Sequence, residues 1–225
     1  MKLLVIICVF ILPLSCKVIP KNEDITQSKS LTYNLDCPDG TFLYCQHAFN
    51  KALGISTDLT WQNVTQIQTI VDNFMLTNQA QYIQGCQQRQ IFYSCLGAKY
   101  SNCINRYHLL TKATDQSLVL PAYLYAAFWN GFDFQCNGGW TTAIYSPETF
   151  NQDSLHKDIL QCQNNFLNSM ANSISSICVN TNAYMTCMQN FYITATNKRI
   201  GWFACEKART QFAEDCPDLR CQVLD

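Results

Sequence analysis

Twelve cysteines carry most of the chemistry available to this chain: Cys37, Cys45, Cys86, Cys95, Cys103, Cys136, Cys162, Cys178, Cys187, Cys205, Cys216 and Cys221, with Cys8 and Cys16 ahead of them. Thiols in such number react, bind metal or pair. Zinc sites draw two thiolates onto one ion from closely spaced ligands such as C-x2-C. No two of these twelve are closer than Cys216 and Cys221, and His47, His108 and His156 lie scattered. An even number of cysteines in an exported chain implies disulfides, here up to six. All twelve are therefore expected to pair, with no metal and no cofactor, and pairing leaves no thiol nucleophile.

The case for export lies in residues 1–16, MKLLVIICVFILPLSC. Lys2 supplies a positive start, residues 3–12 form an apolar run, and Pro13 breaks it before small residues. A spanning helix needs about 20 apolar residues, so this run reads as a secretory signal peptide cleaved after Cys16. A bacterial lipobox with Cys16 lipidated is the rival reading, but that motif usually has Leu where Pro13 stands. The best later apolar stretch, residues 118–134, contains Pro121, Asn130, Gly131 and Asp133, so no stable membrane insertion is expected. The mature protein is expected to be soluble and extracellular.

Helices must position the cysteines. Residues 17–36 are polar, charged and aperiodic, a flexible leader. Residues 37–225 show three- and four-residue apolar steps. Phe42, Cys45, Phe49 and Leu53 form one stripe behind a Pro38-Asp39-Gly40 turn, with Thr41 a possible N-cap. Trp61, Val64, Ile67, Val71, Phe74 and Met75 form a second with Thr60 as cap, and a third runs from Leu155 through Cys162 and Phe166 to Ile177. Cys205, Ala208, Phe212 and Cys216 mark a short last helix stopped by Pro217. The fold class is all-α: a disulfide-rich domain of six to eight helices.

The helical reading constrains the bridges. Cys86 and Cys95 are nine residues apart, as are Cys178 and Cys187. Nine residues of helix rise about 13.5 Å and turn half a revolution net. A disulfide needs Cα atoms within about 7 Å, so each cysteine of these pairs must reach a different neighbouring segment. The connectivity stays open.

The chain holds 19 Asn and 19 Gln against 31 charged residues, so amides and hydroxyls are expected to keep the surface wet. Asn63-Val64-Thr65 is the single glycosylation sequon, and Asn63 the expected site. A weak internal repeat pairs 37–136 with 162–221. Cys45-Gln46-His47-Ala48-Phe49 resembles Cys162-Gln163-Asn164-Asn165-Phe166, and each is followed by a C-x8-C pair with an aromatic two or three residues before its second cysteine.

Export, helical spacing from Cys37 to Cys221, twelve cysteines and the Trp202-Phe203-Ala204-Cys205 cluster together resemble the nematode secreted twelve-cysteine extracellular domain of unknown function. The resemblance implies an extracellular, mostly helical module and brings no catalytic residue with it.

Enzyme signatures are missing. There is no G-x-S-x-G elbow, H-E-x-x-H helix or Gly-rich phosphate loop. Cys45-Gln46-His47 faintly resembles the His context of disulfide-rich secreted phospholipases, but Ala48 follows where those enzymes have Asp. Glu206, Glu214 and Asp215, on the expected last helix, read as a solvated face. Lys plus Arg is 15 and Asp plus Glu 16, which gives no basic surplus for nucleic acid.

Residues 121–140 are dense in aromatics, and Tyr125, Phe128, Trp129 and Phe132 share one helical face. Such a face fills a core, lines a ligand cavity or forms a recognition patch. The first functional expectation is a non-enzymatic extracellular protein that binds another protein or a matrix component through a rigid surface. A carrier of a lipid or other apolar small molecule is the alternative, and a secreted hydrolase the third. An aromatic-lined cavity would favour the carrier.

Overall fold

The bridges fall into two sets that do not mix. In a computed structural model that describes residues 36–146 and 156–223, Cys37–Cys103, Cys45–Cys95 and Cys86–Cys136 close the first half of the chain. Cys162–Cys187, Cys178–Cys216 and Cys205–Cys221 close the second. Their Cα–Cα distances run from 5.0 to 5.9 Å, within the span a disulfide bridges. The expected signal segment and the leader up to residue 35 lie outside the described residues.

The described residues form ten α-helical segments and no strand. The first half holds α1 (Asp39–Ala52), α2 (Val64–Met75), α3 (Gln79–Leu96), α4 (Tyr100–Cys103), α5 (Arg106–Lys112), α6 (Val119–Cys136) and α7 (Trp140–Tyr145). The second holds α8 (His156–Asn172), α9 (Ile177–Ala195) and α10 (Lys198–Gln211). Seven of the ten have twelve or more residues, in line with six to eight; the short α4, α5 and α7 were beyond the reach of periodicity.

Several helix starts depend on the amide-rich composition. Asn78, Asn105 and Asn197 precede α3, α5 and α10, and each side-chain oxygen accepts a first-turn backbone N–H at 2.9–3.0 Å. Thr41 is no cap, because α1 already begins at Asp39, whose charge suits a helix start. The Leu155-to-Ile177 stripe is broken at Ser173, where the hydroxyls of Ser173, Ser175 and Ser176 bond locally and a 3-10 turn replaces the helix. The last helix ends at Gln211, well ahead of Pro217, so Glu214 and Asp215 lie beyond it.

Two apolar cores meet on α6. Phe42, Phe49, Phe92, Tyr125, Phe128, Trp129 and Phe132 build the first, with Phe92 stacked on Trp129 at 4.0 Å between centroids. Phe166, Met170, Tyr184, Met185, Ile200 and Phe212 build the second. Helix α6 turns Trp129 to one core and Ala127 to the other, which explains its apolar character all round. Pro121 sits in its first turn, where a missing N–H costs nothing.

The two halves share a packing unit. On α3, Cys86 bonds to Cys136 and Cys95 to Cys45; on α9, Cys178 bonds to Cys216 and Cys187 to Cys162. In both, the first cysteine of the C-x8-C pair bonds forward along the chain and the second backward. Phe49, four residues after Cys45, meets Phe92 at 5.8 Å and Phe132 at 6.2 Å. Phe166, four after Cys162, meets Tyr184 at 4.7 Å and Phe212 at 5.3 Å. Phe92 and Tyr184 stand three residues before Cys95 and Cys187; Phe132 and Phe212 stand four before Cys136 and Cys216.

Candidate functional site

Between α2 of the first half and α8, α9 and α10 of the second lies a partly open cleft of about 190 Å³. Its walls are unlike in character. Helix α2 presents Thr65, Gln68, Thr69, Asp72 and Asn73, one polar stripe repeating every three or four residues. The facing helices present Ile159, Phe166, Leu167, Met188, Tyr192 and Ile200. Phe203, Ala204 and Phe212 of α10 and Leu124 and Ala127 of α6 complete the apolar part.

One ion pair joins the walls. Lys207 Nζ donates to Asp72 Oδ1 at 3.0 Å, and both side chains are about one-fifth exposed. Gln68 Nε2 donates to the other carboxylate oxygen of Asp72 at 3.4 Å. Burial drives the Tyr184 phenol well above its ordinary pKa, the negative charge of Asp72 adds to that rise, and a hydrogen bond with Gln163 opposes it. Tyr184 is thus a neutral ring with a polar tip.

Gln135 and Gln211 are the least expected lining residues. They are 3% and 7% exposed, and what little of them is open faces the cleft; among the described residues the fully buried side-chain polar atoms without a partner are others, Arg89 Nε, Arg106 Nε, Trp129 Nε1 and Thr181 Oγ1. Gln211 lies flat against α6 because Gly131 offers no side chain there: a Cβ at Gly131 would come within 2.7 Å of Gln211 Cγ.

Other buried amides are fully bonded. Gln46 accepts from the Tyr125 hydroxyl and donates to Asn50 Oδ1 at 2.6 Å. Asn50 in turn donates to the carbonyls of Ser56 and Leu59 at 2.9 and 2.8 Å. The amide side chains are therefore not all surface: Gln46, Asn50, Gln135, Gln189 and Gln211 are interior, with hydrogen bonds or the cleft to receive them.

Tyr125, Phe128, Trp129 and Phe132 do share a face, but that face is the centre of the first core, each residue at most 4% exposed. The face is neither a recognition patch nor part of the cleft, because α1 and α3 cover it with Phe42, Phe49 and Phe92. The aromatics that do line the cleft come from the second half, spaced too widely in sequence to form a visible cluster. The twelve cysteines expected to pair all do so. Asn63 is exposed just before α2, its Oδ1 accepting the Thr60 N–H at 3.2 Å.

The titratable groups of interest are spread apart. His47 is exposed on α1. His108 is buried on α5, its pKa lowered by desolvation and then by Lys112 against an opposing effect of Asp39. Glu206 pairs with Arg209 at 2.8 Å, whereas Glu214 and Asp215 face Arg106. No group of three or more His, Cys, Asp or Glu side chains among the described residues is placed to hold a metal ion. No helix among them is long and apolar enough to cross a membrane.

With the geometry in place, comparison with known proteins adds no relative: no protein-family model, curated protein or solved structure matches this chain.

Proposed function

We propose that this is a secreted, non-enzymatic carrier of an apolar or amphipathic small molecule, held in the cleft between α2 and α8–α10. The observation that carries the reading is the cleft itself, where Phe166, Tyr184, Tyr192, Phe203 and Phe212 surround space open to a ligand. Ligand sites are concave, mostly apolar and furnished with a few convergent polar groups. Six bridges, three on each side of the cleft's seam, support an oxidising destination and hold the walls in shape before a ligand arrives.

A surface-binding role has less to support it. The exposed large apolar residues are spread over α1 (Leu43, Tyr44), α3 (Ile91, Tyr93), α5 (Tyr107), α7 (Tyr145), α8 (Leu160), α9 (Val179) and the segment after α10 (Val223), with no more than two on any one of them. The sequon at Asn63, with Thr65 at the cleft's rim, would place a glycan beside the opening; a mass loss on glycosidase treatment, absent in Asn63→Gln, tests this. For the carrier role, the protein is purified from culture medium with its bridges intact and extracted with organic solvent. Mass spectrometry of the extract should show a lipid-like compound near one per chain. An empty extract, together with no uptake of any apolar probe, rejects the role.

A further inference from the structure

We infer that the cleft selects uncharged amphiphiles, molecules with an apolar body and a neutral hydrogen-bonding head such as a hydroxyl, over fatty acids and other anions. This rests on the carrier reading and names the ligand class. The first ground is charge. Among the described residues Lys207 and Asp72 are the only charged side chains in the lining, and they already neutralise one another at 3.0 Å. A carboxylate ligand could gain Lys207 only by displacing Asp72, which would leave a second, uncompensated negative charge in a mostly buried site.

The second ground is the pair of neutral amides that line the cleft. Gln135 and Gln211 together offer four N–H donors and two carbonyl acceptors, and both reach the cleft from positions more than nine-tenths buried. A hydroxyl can donate to one amide carbonyl and accept from an N–H, whereas a carboxylate can only accept. A neutral head therefore satisfies both kinds of group. Along α10 the lining changes from Ile200, Phe203 and Ala204 to Lys207 and Gln211, so one helix gives the ligand an apolar end and a polar end over about 16 Å.

The test uses the full mature chain with its bridges intact, stripped of lipid and loaded with the uncharged fluorophore 1-N-phenylnaphthylamine. Dodecanol and dodecanoate then compete for the site near neutral pH. Dodecanol should displace the probe at a concentration roughly tenfold lower than dodecanoate, the worth of one or two hydrogen bonds. Gln135→Leu and Gln211→Leu, each checked for folding by circular dichroism and each with its own probe affinity measured, should raise the dodecanol midpoint several-fold once corrected for that affinity. Asp72→Asn frees Lys207, so the dodecanoate midpoint should fall toward that of dodecanol.

Equal or tighter displacement by dodecanoate overturns the inference. So does an unchanged dodecanol midpoint in both folded leucine variants, or an unchanged dodecanoate midpoint in Asp72→Asn. Failure of the probe to bind at all has a different meaning: it removes the carrier reading, and this inference with it.

Discussion

Arg106 Nη1 lies 2.7 Å from Oδ2 of Asp215, tying α5 of the first half to the segment that follows α10. Burial raises the Asp215 pKa above its ordinary value; Arg106 opposes the rise, and Glu214 adds to it. A carboxyl with a raised folded pKa keeps its proton to higher pH in the folded chain than in the unfolded one. Its contribution is therefore present at low pH and lost as pH climbs past the usual carboxylate range. Over that window Asp215→Asn should remove this fall from the pH dependence of the melting temperature, measured against the unsubstituted chain. Arg106→Leu should cost about 1–3 kcal/mol and steepen it, because Asp215 then ionises without its cation.

Bridge topology can be read chemically. Digestion without reduction should yield six linked peptides, none joining the 37–136 region to the 162–221 region. The two bridges that span 50 residues should matter more than the one that spans 16. By loop entropy, replacing Cys86 and Cys136 with Ala should cost about 4 kcal/mol, against about 3 for Cys205 and Cys221. Denaturant titration of the two double variants compares them.

Glycine substitutions should separate tight helix contacts from open ones. At Gly201 a Cβ would lie 2.5 Å from Ile193 Cγ1 and 2.9 Å from the Gln189 carbonyl oxygen, so α9 and α10 would have to move apart. Gly201→Ala should cost about 1–3 kcal/mol. At Gly40, in the first turn of α1, the same Cβ meets nothing within 4 Å, and Gly40→Ala should be neutral or stabilise by up to about 1 kcal/mol. Melting temperatures of the two variants should move in opposite directions or differ by several degrees.

The matching aromatic contacts also predict matching losses. Phe49→Ala and Phe166→Ala each remove the ring that touches two partners, and each should cost about 3–5 kcal/mol. Tyr44→Ala, on the exposed side of α1, should stay within about 0.5 kcal/mol. Chemical denaturation measures all three. A small loss at Phe166 alone would mean that the second core tolerates a cavity the first does not.

The fold was largely legible because helical periodicity is local. The stripe Phe42, Cys45, Phe49, Leu53 is buried along its whole length, and the nine-residue cysteine spacing required α3 and α9 to bond different neighbours. The pairing was not legible, since it depends on which helices become neighbours. The dense aromatics of residues 121–140 pointed to α6 correctly but to no site: a helix shared by two cores needs apolar residues on every side. The cleft escaped because it forms only where α2 comes to face α8, α9 and α10, with lining residues as far apart as Thr65 and Phe212. Gln135 and Gln211 were hidden among 38 amide side chains; only their burial beside the cleft distinguishes them.

Because the covalent staples divide three and three, the seam containing the cleft is closed only by contacts that can be broken and remade without chemistry. Parting Asp72 from Lys207 would widen that seam while every sulfur stayed oxidised, so in the proposed carrier loading is independent of the redox conditions that keep the protein intact.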